Sequence, residues 1–195
     1  MIEISIIVPV YNEEENIEIF VKSIEKVFNN LSKSYEIIFV LDPSSDKTEE
    51  KILDQIKENK NIKLIVLSRK FGQPISTIAG IENSNGNYCV VIDVDLQDPP
   101  ELIEQMYNKI VSENLDVVFA VRKSREGETF LKKLISSIGY KIINSMSDIA
   151  IPTNAGDFRI FSRRVVNELK KFNEKEAFLR GMVSYVGFKQ SKIYF

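Results

Sequence analysis

A chain of 195 residues, 44% hydrophobic and 28% charged, suits one soluble domain with a sizeable core. Its net charge of −2 argues against a general nucleic-acid binder. It contains no histidine, which excludes His-containing triads, His metal sites and His general bases; acid–base and metal chemistry must rest on carboxylates, amides and hydroxyls.

The one cysteine, Cys89, lies in an apolar run and cannot form an internal disulfide, which fits a reducing compartment. The run 4–10 is too short for a signal peptide, and Glu3 stands where a basic n-region would be. No stretch approaches the roughly 20 apolar residues of a membrane span. The first sixty residues are acidic and the remainder mildly basic, mainly around 122–141 and 159–180. Solvated helix faces account for most of these charges.

Residues 4–10 read as a buried, β-branched strand, followed by the polar turn Tyr11-Asn12-Glu13. A helix is expected over 14–30, with Ile17, Phe20, Val21, Ile24, Val27 and Phe28 on one stripe and acidic residues in its first turn. Residues 35–41 form a second strand, ending in the turn cluster 42–48. Asp46 and Glu49 have the spacing of a capping box for a helix over 47–59. A third strand, 62–67, leads into the polar run 68–73, and Pro74 opens a short helix. Asn85-Gly86 is a turn, and strand 88–92 follows. Asp98, Pro99 and Glu101 then resemble the start of a helix running to about 112, with Asp98 as its N-cap or, equally, a ligand. A fifth strand covers 115–121.

This alternation predicts an α/β fold with a mostly parallel central sheet and helices on both faces. Ligands of such sheets bind beyond the carboxyl ends of the strands. Asn12-Glu13, 42–46, 68–72 and 93–98 should therefore converge on one cleft. The rhythm then breaks into a polar segment, 122–129, a helix over 130–146 and a loop, 152–157. A short strand, 158–162, helices near 163–171 and 175–184, and a strand near 187–194 complete the chain.

Strand 88–92 leads directly to Asp93, Asp95 and Asp98. Asp93-Val-Asp95 brings two carboxylates to a small area, and oxygen-only ligation favours Mg²⁺ or Mn²⁺ over Zn²⁺. Such an ion completes its shell with substrate phosphates, which points to a nucleotide diphosphate. A pair of exposed turn aspartates is the plainer alternative. No Gly-x-Gly-x-x-Gly follows the first strand, and there is no Gly-Lys-Ser/Thr loop and no Gly-x-Ser-x-Gly elbow. Phosphate must then be held by metal and basic side chains. Asp157 reads either as a salt-bridge partner of Arg159 or another arginine, or as a base near an acceptor.

Five segments together carry a family resemblance: Ile7-Val-Pro-Val-Tyr-Asn-Glu-Glu-Glu-Asn-Ile17, Phe71-Gly72 with Ala79-Gly80, Asp93-Val-Asp-Leu-Gln-Asp-Pro-Pro-Glu101, Arg122-Lys-Ser-Arg125 and Asn154-Ala-Gly-Asp-Phe-Arg159. In this order the chain resembles the inverting, nucleotide-sugar-dependent glycosyltransferases of family two, which have the GT-A fold. It is most similar to the branch acting on dolichyl and polyprenyl phosphates. The resemblance implies a hexosyltransferase that moves a UDP- or GDP-linked sugar to a polyprenyl phosphate, at the inner, cytoplasmic face of a membrane and in cell-envelope synthesis. It implies that Pro9, Tyr11, Glu13 and Asp42 hold the nucleoside, with Asp93 beside it. It implies Asp95 and Gln97 as ligands of Mg²⁺ or Mn²⁺, and Arg122 and Arg125 on phosphate. It also places Lys132 and Lys133 near the lipid phosphate and Asp157 in the acceptor site.

Residues 1–195 are expected to be one catalytic domain, with 1–121 binding the nucleotide sugar and 122–195 facing the acceptor. Two departures stand out. Leu41-Asp42-Pro43-Ser44 replaces the family's Asp-Asp-Gly-Ser, and the chain stops where relatives continue, which suggests a shortened form. The partners expected are the nucleotide sugar, polyprenyl phosphate and the membrane surface, without nucleic acid; homo-oligomerisation stays open. A saccharide acceptor, with Asp157 as general base, and an inactive nucleotide-sugar-binding domain are the alternatives.

Overall fold

The apolar runs form the strands expected of them, at the ends that turn chemistry allows. The computed structural model describes residues 1–123, 156–172 and 179–195. In chain order the elements are β1 (Ile4–Val10), α1 (Ile17–Leu31), β2 (Tyr35–Leu41), α2 (Thr48–Glu58), β3 (Ile62–Val66), α3 (Gln73–Glu82), β4 (Tyr88–Val91), α4 (Leu102–Ser112) and β5 (Val117–Val121). β6 (Arg159–Ser162), α5 (Arg163–Leu169), α6 (Leu179–Tyr185) and β7 (Gln190–Tyr194) follow. The helix expected over 130–146 lies outside the described residues, as do Arg125, Lys132 and Lys133.

The strands make one sheet in the order β3-β2-β1-β4-β6-β5-β7. All neighbours are parallel except β6, which runs antiparallel to β4 and to β5. Strand alternation divides the core. Ile4, Ile6, Val8 and Val10 join the side chains of α1, α2 and α4 on one face. Ile7, Cys89 and Val91 join α3, α5 and α6 on the other. The α1 stripe is buried throughout, at Ile17, Phe20, Val21, Ile24, Val27 and Phe28. Each such side chain contributes about 1.5–3 kcal/mol of burial. α3 lies close on the sheet because residue 80 is glycine: a Cβ there would overlap the Ile7 Cγ2 methyl and stand 3.1 Å from Val40 Cγ2.

Several expected boundaries shift, each for a local reason. α1 begins at Ile17 rather than at 14, because Glu14 faces the β2–α2 turn. Its carboxylate accepts the Lys47 N–H at 2.8 Å and its own N–H donates to Asp46 at 3.1 Å. Asp46 also accepts the Thr48 N–H and hydroxyl, at 3.1 and 2.6 Å, so it caps α2 from two residues before the first helical position. α2 accordingly starts at Thr48, and no reciprocal bond from Glu49 forms among the described residues. The largest correction is at α4, which starts at Leu102. Pro99 and Pro100 carbonyls close the turn before it, accepting the Leu102 and Ile103 N–H groups, and Asp98 is not its N-cap. The fifth strand begins at Val117, since Asp116 turns aside to accept bonds from Ser162 and Arg164.

Candidate active site

Four loops meet at the carboxyl edge of β1, β2, β3 and β4. Asn12 has φ 55°, a left-handed conformation that asparagine tolerates. Its N–H donates to Ser44 Oγ at 3.0 Å, and its side-chain oxygen accepts the Ser45 N–H at 2.9 Å. Asp42, only 3% exposed, accepts the Phe71 and Gly72 N–H groups at 3.0 and 2.8 Å. The single carboxylate left in the Leu41–Ser44 segment thus ties the loop after β3 to the end of β2. Gln73, at the first position of α3, donates from Nε2 to Asp93 Oδ1 at 2.7 Å.

These contacts frame a cleft of about 210 Å³ lined by Pro9, Val10, Tyr11, Glu13, Asp42, Gln73, Ser76, Asp93, Val94 and Asp95. Six of the residues singled out from the sequence are in that lining: Pro9, Tyr11, Glu13, Asp42, Asp93 and Asp95. Glu13 is steadied by Asn16 Nδ2, which donates to its carboxylate at 2.6 Å. The sequence reading passed over Gln73 and Ser76 as site residues; their place in the first turn of a helix after a polar loop was the available signal. The run 68–72 was expected at this cleft, but its cations Arg69 and Lys70 were given no role of their own. Lys70 Nζ lies 3.4 Å from the centroid of the Tyr11 ring, and the Arg69 guanidinium lies 3.8 Å from that of Phe71.

Beyond β4 the chain turns sharply. Leu96 has φ 58°, a conformation that costs a side chain with a Cβ about 1–2 kcal/mol. Packing of Leu96 against the core holds it there. The turn brings Asp95 and Gln97 together, with the Gln97 N–H donating to Asp95 Oδ1 at 3.1 Å. Both side chains are exposed, whereas Asp93 is half-buried. Burial raises the Asp93 carboxyl from an ordinary 3.8 to about 6, with help from the nearby charges of Asp157, Asp95 and Asp98 and against the opposing pull of Arg122.

Arg122 and Asp157 come from the far side of the sheet. Arg122 donates from Nε and Nη2 to Asp98 Oδ1 at 2.9 and 2.7 Å, and from Nη1 to Gln97 Oε1 at 3.4 Å. Asp157 precedes β6, whose antiparallel pairing sets Arg159 beside Val91 at the carboxyl end of β4. Arg159, 1% exposed, donates to Asp157 Oδ1 at 3.3 Å and to the Gly156 carbonyl at 2.6 Å. The arginine pairing allowed for Asp157 is therefore formed. Neither Arg122, Gln97 nor Asp157 lines the cleft itself.

Among the described residues, no three Asp, Glu, His or Cys side chains gather into a ready-made cation cage. The available donors are the Asp95 carboxylate and the Gln97 amide oxygen. A short, oxygen-only set suits Mg²⁺ or Mn²⁺, which retain water and take phosphate oxygens. A bound cation would also offset the repulsion from Asp157, Asp95 and Asp98 that adds to the effect of burial on Asp93, so the residues present fit such an ion.

Residues 5–170 match the family model described as glycosyl transferase family 2. The chain belongs to that family. It is 44% identical over 194 residues to an uncharacterised glycosyltransferase of Synechocystis, covering all of this chain and 61% of that protein. It is 37% identical over 187 residues to a prophage bactoprenol glucosyl transferase homologue of Escherichia coli, covering 96% of this chain and 61% of the relative. The chain thus spans about three fifths of the length of these curated relatives. Among solved structures it shares the GT-A fold with a mannosyltransferase of Pyrobaculum calidifontis in complex with GDP-Man and Mn²⁺. That match has a TM-score of 0.70 and 16% identity, covering 98% of this chain and 55% of the other. Staphylococcus aureus TarS 1–349 in complex with UDP-GlcNAc gives a TM-score of 0.65 at 16% identity, covering 100% and 58%. Among the described residues, no helix is long and apolar enough to cross a membrane.

Proposed function

We propose that this chain is the catalytic domain of a metal-dependent, inverting glycosyltransferase. Its donor is a UDP- or GDP-linked sugar and its acceptor a polyprenyl phosphate, met at the cytoplasmic face of a membrane to which the domain attaches peripherally. Residues 1–121 bind the donor and 122–195 face the acceptor. The observation that carries this reading is the cleft at the carboxyl edge, whose lining sets the carboxylates of Asp93 and Asp95 beside room for a nucleoside. The bactoprenol in a relative's name supports the lipid acceptor.

Inverting transfer is an in-line displacement at the anomeric carbon, and its main demand is stabilisation of the departing diphosphate. A divalent ion at Asp95 and Gln97 would supply Lewis-acid neutralisation of that diphosphate. Pro9, Tyr11, Glu13 and Asp42 hold the nucleoside, and Asp93 abuts it. Arg122 donates to a phosphate oxygen; Arg125, Lys132 and Lys133 are assigned to the donor or lipid phosphate from the sequence alone. A polyprenyl phosphate is already anionic, so its attack depends on positioning more than on proton removal. Asp157, engaged by the buried Arg159, suits an organiser of the acceptor site.

Calorimetry with UDP, GDP and their sugars, with Mn²⁺ or with EDTA, tests the donor and metal. Binding that needs the ion is expected; equal affinity in EDTA sinks the metal role. Asp95→Asn should abolish transfer to a short-chain polyprenyl phosphate while the melting temperature stays near that of the wild type. Turnover retained in that variant refutes the assignment.

A further inference from the structure

Asp98 is a carboxylate that the chemistry above does not use. It is 8% exposed and does not cap α4. One oxygen, Oδ1, accepts both Nε and Nη2 of Arg122, and the third committed donor of that guanidinium, Nη1, touches Gln97 Oε1. A guanidinium carries five N–H donors. Three are committed, so one on each Nη remains for a phosphate oxygen. The amide oxygen of Gln97 has two acceptor positions, so contact with Arg122 leaves it able to serve as a ligand.

We propose that Asp98 is a positioning residue: it neutralises and aims Arg122, so that this guanidinium can lie against Gln97 without repelling a divalent cation held by Asp95 and Gln97. The inference rests on the metal reading of the preceding subsection. Unpaired, Arg122 would be a full positive charge in contact with a metal ligand. Paired with a buried carboxylate, it is an oriented set of donors whose charge is largely cancelled. The short bonds from two nitrogens to one oxygen also fix the plane of the guanidinium. The arrangement joins the loop after β4 to the end of β5, and thus the two halves of the cleft edge.

The test is Mn²⁺ binding followed by electron paramagnetic resonance in the presence of UDP or GDP. It uses the wild type, Asp98→Asn, Arg122→Gln and the double variant, with a thermal melt for each. Asp98→Asn is expected to weaken Mn²⁺ binding about tenfold, the scale of outer-shell effects at metal sites. Removing the uncompensated cation should reverse the loss, so the double variant should bind Mn²⁺ within about threefold of Arg122→Gln alone. A purely structural role for Asp98 predicts no such recovery. Asp98→Asn with wild-type Mn²⁺ affinity overturns the proposal. So does a double variant about tenfold weaker than Arg122→Gln, and this comparison decides the matter even if Asp98→Asn alone does not fold. A wild type that binds no Mn²⁺ with either nucleotide fails the metal reading itself, and the role of Asp98 with it.

Discussion

Asp93→Asn is expected to make the metal-free protein more stable. The Asp93 carboxyl is raised from 3.8 to about 6, chiefly by burial and then by Asp157, Asp95 and Asp98. The native state therefore keeps a proton that the unfolded chain has released between those two values. Stability falls as pH rises through that window and is flat above it. The full rise is equivalent to about 3 kcal/mol at neutral pH, reduced to about 2 by the solvent that reaches a half-buried group. An amide removes the penalty and can still accept the bond from Gln73. For a chain of this size the gain corresponds to roughly 4–8 °C in melting temperature. The assay is urea unfolding of both proteins in EDTA at pH 7.5 and at pH 4.5. The variant should be more stable at pH 7.5, and the gap should close towards pH 4.5. Equal stability at pH 7.5, or a gap that persists in acid, would refute the reasoning. Added Mn²⁺ and nucleotide should narrow the gap by stabilising the wild type, whose Asp93 carboxylate then faces a cation, more than the variant.

Three further outcomes follow from contacts described above or beside them. Gly80→Ala should cost about 1–3 kcal/mol in denaturant unfolding, since the added methyl overlaps Ile7 and presses Val40. Asp42→Asn leaves one of the Phe71 and Gly72 N–H groups facing an amide NH₂. It should cost about 1–2 kcal/mol and speed hydrogen exchange at residues 70–73; unchanged exchange there would contradict the tie. Buried Glu36 is the third case. Desolvation pushes its carboxyl up, but Lys63, Ser5 and the Asn85 N–H outweigh it and hold the group below its usual 4.5. Its contribution is complete above about pH 4.5 and lost as pH falls further. Glu36→Gln should therefore cost about 2 kcal/mol at pH 7 and progressively less in acid, read by thermal melts across pH.

What could be read from the chain was whatever depends on near neighbours. The strands β1 to β5 are runs rich in β-branched residues closed by polar segments, and parallel order then sends Pro9, Tyr11, Glu13, Asp42, Asp93 and Asp95 to one edge. The Asp98-Pro99-Pro100-Glu101 stretch misled for the opposite reason. Its local pattern matches a helix start, but its carboxylate is claimed by Arg122, 24 positions away. Nothing in a strand as short as Arg159–Ser162 encodes its direction, so the reversal of β6 was invisible. The bond from Gln73 to Asp93 likewise spans two loops that touch only after the sheet has formed.

The reversal of β6 has a consequence for engineering. β5 ends and β6 begins at the same edge of the sheet, on hydrogen-bonded neighbours, with the Ala120 N–H donating to the Phe158 carbonyl at 3.0 Å. The described ends of the connection, Lys123 and Gly156, therefore both lie at the cleft edge of the sheet. Exchanging residues 124–155 for the matching stretch of a relative would be a graft between two fixed posts. Such chimaeras would test the proposal that this stretch bears on acceptor choice.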